Sequence, residues 1–280
     1  MSRPDDTMRP PLPPPGIVVG KIAGIELAIH PSWLVTFSLL TVFTRYEVAP
    51  KLGPYLVEAV LWGLALVIAG AFAVSVVVHE LCHSIVAKMY GLEARRITLF
   101  LFGGVSQVSS EPSKPSAEFF IAVAGPLASL VMASAMAAAA RLLHPGQTGL
   151  PGAWGTLALV NMALAAFNLI PGFPLDGGRI LRSALWAKFR DRARATRIAS
   201  YGGRATALAL MGVGVGFFVS SGGDGEALVG GFWYVLLGWF LYGAVGTAAR
   251  VEGAKAILSA PVPDTLDGDE SKAAESYARR

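Results

Sequence analysis

Charge is what this chain has least of. Asp, Glu, Lys and Arg make up 15% of its 280 residues against 54% for hydrophobic residues, where an ordinary soluble domain carries about a quarter charged residues. That shortage excludes a freely soluble globular domain and is what a membrane protein requires. Residues 59–78, 119–140, 154–175 and 227–249 contain no Asp, Glu, Lys or Arg at all. Each run is long enough to cross the roughly 30 Å hydrocarbon core as a helix. The run 205–221 is shorter but still spans, and residues 31–46 hold charge off until Arg45. An all-α polytopic fold with about six transmembrane helices is expected.

Cysteine is nearly absent: Cys82 is the only one, which excludes an internal disulfide framework. The first sixteen residues lack the apolar run of a signal peptide; charged and rich in proline, residues 1–16 are expected to be a disordered cytosolic tail. Residues 251–280 turn polar and are expected to form a second cytosolic tail, which leaves 17–250 as the folded membrane unit. Residues 93–108 read as strand, because Ile97, Thr98, Leu99, Phe100 and Phe102 are β-branched or large and Gly103-Gly104 turns the chain. Residues 17–30 alternate loosely. A small membrane-associated hairpin or sheet is therefore expected beside the helices.

Basic residues set the orientation, since short cytoplasmic loops collect Lys and Arg. With the N-terminus inside, 20 of the 23 Lys and Arg residues fall on the inner side, leaving Arg45, Lys51 and Arg141 outside. Both termini are then cytoplasmic in a multi-pass protein of the cell membrane. The net charge of +4 fits anchoring against anionic headgroups, and nucleic-acid binding is not expected. Association into a homo-oligomer is compatible with the sequence.

Histidine is scarce as well, at four residues, yet two of them fall in His79-Glu80-Leu81-Cys82-His83. Four residues apart on a helix, His79 and His83 project from one face about 6 Å apart along the axis, where a tetrahedral zinc takes both. Histidines and a carboxylate inside an apolar span are costly and mark functional sites. Lys88 is the first charge after the motif, which puts the pair roughly 8 to 14 Å below the cytoplasmic headgroups. Glu80 is the competent general base of such a motif, taking a proton from zinc-activated water. Cys82 could at most be a further ligand. A catalytic zinc takes three protein ligands, and His30, His144 and Asp176 are the candidates for the third. Asp176 is preferred: it is the only acidic residue between Glu118 and Asp191, and Pro171, Gly172, Pro174, Gly177 and Gly178 break the helix around it. Broken helix at membrane depth is tolerated where it lines a cavity.

Taken together, the chain resembles the site-2 protease family of intramembrane zinc metalloproteases. The matching residues are His79-Glu80-Leu81-Cys82-His83, Gly103-Gly104, Gly125-Pro126, and the block Asn168, Pro171, Pro174, Leu175, Asp176, Gly177, Gly178 and Arg179. The closest likeness is to the six-span branch without a PDZ insertion. The resemblance implies a metalloendopeptidase in which His79, His83 and Asp176 bind one Zn2+ per chain and Glu80 is the catalytic base. It also implies that Asn168 holds the substrate or the oxyanion and that the 93–108 hairpin pairs with the unwound segment of a single-span membrane-protein substrate. The CBS-domain pair common in that branch is expected to be missing or truncated, since few residues follow 250. Two other classes remain: a noncatalytic metal transporter, which usually carries broken helices in both halves, and a substrate-binding pseudoprotease, which normally loses the glutamate or a ligand.

Overall fold

The computed structural model describes residues 16–49, 56–101, 103–108, 111–145, 152–222 and 225–258. In chain order these form β1 (Ile17–Ile22), β2 (Ile25–Ile29), α1 (Trp33–Phe43), which runs into a π turn at Thr44–Val48, α2 (Glu58–Met89), β3 (Ala94–Phe100) and β4 (Gly103–Val108). Then follow α3 (Pro115–Leu143), α4 (Gly152–Asn168), α5 (Asp176–Phe189), α6 (Arg192–Ser220) and α7 (Gly225–Leu258). The fold is therefore mostly helical with one small sheet, as expected.

Among the described residues, four helices are long and apolar enough to cross a membrane: α2, α3, α6 and the Ala227–Thr247 part of α7. Only 33% of the most apolar stretch of α2, and 17% of that of α6, is buried within the protein. Helices that present apolar side chains outward over most of their girth are solvated by lipid. The apolar runs at 31–46 and 154–175 form shorter helices, the 11-residue α1 and the 17-residue α4. The second run stops at Asn168 because Pro171 has no N–H to continue the ladder. Residues 1–15 and 259–280 of the expected tails lie outside the described residues, and α7 continues past the expected boundary at 250.

Of the expected hairpin or sheet, the structure forms a four-stranded sheet. β1 pairs antiparallel with β2, β2 parallel with β3, and β3 antiparallel with β4, giving the order β1-β2-β3-β4. The parallel junction is closed by the α1–α2 crossover, and it joins two segments that the sequence shows only as separate runs. Ile25, Ala94 and Ile97 pack with Leu81 of α2, and Trp33 and Leu99 pack with Val76. The sheet is thus seated on the same helix that carries the His79-to-His83 motif. Its β4 end abuts that helix, with Ser106 Oγ 2.7 Å from Ser84 Oγ.

Terminators are local. Gly91, at φ +78°, lets the chain leave α2; Pro115 opens α3; Asp191 caps α6 by accepting from the Arg194 N–H at 2.9 Å.

Candidate metal centre

One face of α2 forms the floor of the site. His79 and His83 emerge one turn apart, and both are buried. Asp176, also buried, arrives from the first residue of α5. Its Oδ2 lies 3.2 Å from His79 Nε2 and 3.1 Å from His83 Nε2, and the two Nε2 atoms are 3.2 Å apart. The three preferred ligands are therefore brought together, from segments almost a hundred residues apart in the chain.

The outer ring nitrogens explain which way the electrons point. His83 Nδ1 donates to the Ile121 carbonyl at 2.6 Å. A carbonyl only accepts, so this imidazole keeps its proton on Nδ1 and turns an Nε2 lone pair inward. His79 Nδ1 lies 2.9 Å from Ser129 Oγ, which is itself fully buried. A hydroxyl can accept there, and when Nδ1 donates to it, two nitrogen lone pairs and a carboxylate oxygen converge on one point, an arrangement that a divalent cation satisfies. The edge lengths fit as well: three ligands on a tetrahedral zinc at about 2.0–2.1 Å lie about 3.3 Å apart.

Two glycines shape the remaining walls. A Cβ on Gly125 of α3 would collide with His83 Nε2 and stand 2.6 Å from His79 Nε2, so a side chain there would occupy the space between the rings. A Cβ on Gly104 of β4 would stand 2.5 Å from Glu80 Cγ, so only glycine lets the edge strand lie against that glutamate. Both belong to residue pairs whose purpose is invisible in the sequence.

A cavity of about 570 Å³ opens beside the cluster, lined by Glu80, His83, Asn168, Asp176 and Arg179 together with Gly104 and Ser106 of β4. The Asn168 amide donates to the Leu164 carbonyl at 2.9 Å, which fixes its side chain on the last turn of α4. The other candidate ligands lie elsewhere. His30 Nδ1 is 2.7 Å from Ser32 Oγ, and His144 Nδ1 is 3.3 Å from the Ala140 carbonyl at the end of α3. Cys82 is a free, half-buried thiol and falls outside the cluster formed by His79, His83 and Asp176.

Sequence reasoning missed the supports. Ser129 is one, and the Glu118–Arg182 pair is another. Glu118 of α3 is fully buried and accepts from Arg182 Nε at 2.8 Å and from its Nη2, while Arg182 Cζ stacks 4.7 Å over Phe173. Burial pushes the Arg182 guanidinium below its ordinary value, against the pull of the Glu118 carboxylate. The pair locks α5 onto α3, and with it Asp176 onto the histidines. Removing one member leaves the other as an uncompensated buried charge, so Glu118→Ala is expected to cost about 3–5 kcal/mol in unfolding measured in detergent. A cost below about 1 kcal/mol would show the pair to be incidental. The signal available in the sequence was a lone glutamate at the entry to a charge-free run.

The family model described as peptidase family M50 matches residues 67–146 and 144–210. A Synechocystis protein named "Putative zinc metalloprotease" is 37% identical over 84% of this chain and 60% of its own length. A Mycobacterium tuberculosis protein named "Putative zinc metalloprotease Rip3" is 39% identical over 81% of this chain and 57% of its own. This chain thus spans about three fifths of the length of those relatives. The solved site-2 protease from Methanocaldococcus jannaschii superposes with a TM-score of 0.55 at 31% identity, covering 84% of this chain and 95% of that one.

Proposed function

Because the chain belongs to peptidase family M50, the site-2 protease family, we propose that it is a zinc endopeptidase that cuts transmembrane segments of membrane proteins inside the bilayer. The observation that carries this reading is the 3.1–3.2 Å triangle of His79, His83 and Asp176 beside Glu80, on a helix apolar enough to span. Zinc held by these three residues supplies Lewis acidity to a water molecule and a peptide carbonyl.

The chain's own residues do the rest. Glu80 takes the proton of the attacking water and returns it to the departing peptide nitrogen. β4 is the edge strand of the sheet on the cavity side, so its outer backbone groups can accept an added strand. A transmembrane helix hides its peptide bonds in its own ladder; once unwound onto β4, it lies beside Glu80 because Gly104 admits the close approach. Asn168, in the same cavity, holds the substrate backbone. We take α1 and α4 as the two remaining crossings, which makes six, with both termini cytoplasmic and the cavity open to water from that side.

Ser129 holds the direction of the His79 ring through its contact with Nδ1. Ser129→Ala is expected to weaken zinc binding about 10- to 100-fold, as loss of a ligand's supporting hydrogen bond generally does. Competition with a metal-binding dye measures this, and an unchanged affinity would remove Ser129 from the site.

The reading as a whole is tested by reconstituting the protein in lipid with single-span substrates. Cleavage that stops with a chelator and returns with zinc supports it; zinc transport without cleavage, or substrate retention without cleavage, would favour the transporter or pseudoprotease instead.

A further inference from the structure

α5 turns two arginines to the cavity, Arg179 and Arg182, while Arg192 at the start of α6 lies outside its lining, and of the three only Arg179 is uncommitted. Arg182 is paired with Glu118, and Arg192 with Glu111. Arg179 is half-buried, lines the cavity with Glu80, Asn168 and Asp176, and has no hydrogen-bond or ion-pair partner among the described residues. Three residues after Asp176 on α5, it shares that residue's face of the helix.

A guanidinium has five N–H donors and no acceptor. None of these donors is committed to an acceptor among the described residues, so the side chain is open to one that comes with the substrate. Two acceptors are conceivable: an acidic substrate side chain, or the oxygen of the peptide bond being cut. The first is disfavoured, because a carboxylate in a membrane-spanning segment is itself expensive. The second fits the position, on the Asp176 face of α5 and in the same cavity as Glu80.

Resting on the peptidase reading above, we propose that Arg179 binds the scissile carbonyl oxygen and stabilises the negative charge that gathers on it. The water oxygen bonds to the carbonyl carbon as Glu80 takes the water proton, and the C=O electron pair moves onto the oxygen held by Arg179. That pair then returns to re-form C=O, the C–N bond breaks, and Glu80 delivers its proton to the nitrogen. One water is consumed, and a carboxyl and an amine terminus are left. Arg179 exchanges no proton; it donates hydrogen bonds that are strongest when the oxygen is charged.

The test compares wild type, Arg179→Gln and Arg179→Lys in lipid, measuring zinc content, kcat, KM, and affinity for a substrate-like phosphinate peptide, whose anionic tetrahedral centre mimics the charged oxygen. For Arg179→Gln we expect one zinc per chain, little change in KM, and a fall of about 10²–10³-fold in kcat with a parallel fall in phosphinate affinity. Arg179→Lys should recover part of both. A raised KM with kcat intact would overturn the proposal in favour of an acidic substrate side chain. Zinc loss in both variants would make Arg179 a structural residue and overturn it equally. Wild-type kcat and phosphinate affinity in Arg179→Gln would end it while leaving the peptidase reading standing. Failure of the peptidase reading shows separately, in a wild type that neither cleaves nor binds phosphinate.

Discussion

Glu80→Gln is expected to abolish cleavage of a reconstituted helical substrate, by at least about 10³-fold, while the protein keeps one zinc per chain. The amide preserves the size and the contact with Gly104 but cannot accept a proton from water, and general-base catalysis contributes about 10²–10⁴-fold. Glu80 is not part of the His79, His83 and Asp176 triangle, so metal content should not follow activity. Substrate binding should survive too, which makes this variant the natural trap for identifying what the protein cuts. Wild-type activity in the variant would remove Glu80 from the mechanism. Loss of zinc would move it into the ligand set.

The second large effect is on the metal itself. In a His79→Ala, Asp176→Ala double variant, zinc measured after purification should fall from about one per chain to the background of a chelated control. Two of three ligands are gone, and a lone imidazole binds zinc only weakly. The single Asp176→Ala change is more informative about the fold, since it leaves the His79–His83 pair on α2 untouched and removes only the contribution of α5. It should lose most of its zinc while unfolding close to wild type, because Glu118–Arg182 still fastens α5 to α3. Full zinc retention in the double variant would refute the ligand set.

The histidine pair was legible because its spacing lies within about one helix turn, where sequence distance and spatial distance are tied. Asp176 was legible for a different reason: a carboxylate in the membrane part is costly unless it serves a site, and helix breakers on both sides leave it free to turn inward. What could not be read is what depends on contacts between distant segments. The parallel β2–β3 junction pairs Glu26 with Arg96 and Ile29 with Leu99 across the whole α1–α2 crossover, and no local pattern announces it. Ser129 looks like one more small residue in an apolar helix until His79 is found against it. Gly125 stood out in the sequence only by likeness and Gly104 only by likeness and as part of a turn, whereas their close approach to the histidines and to Glu80 gives the physical reason. The shortness of α1 was hidden, because apolar runs record where charge is absent and not where the helical ladder stops, whereas the end of α4 was announced by Pro171 and the breakers after it.

The most direct measurement is the position of the cut. Wild-type protein in liposomes, given a single-span substrate with labelled flanks, should yield fragments whose new termini, read by mass spectrometry, fall within the substrate's apolar segment. The same products should be absent with Glu80→Gln and should return when zinc is restored to chelated wild type. Fragments ending only in the water-exposed flanks, or none from a zinc-loaded wild type, would contradict an active site that works inside the membrane.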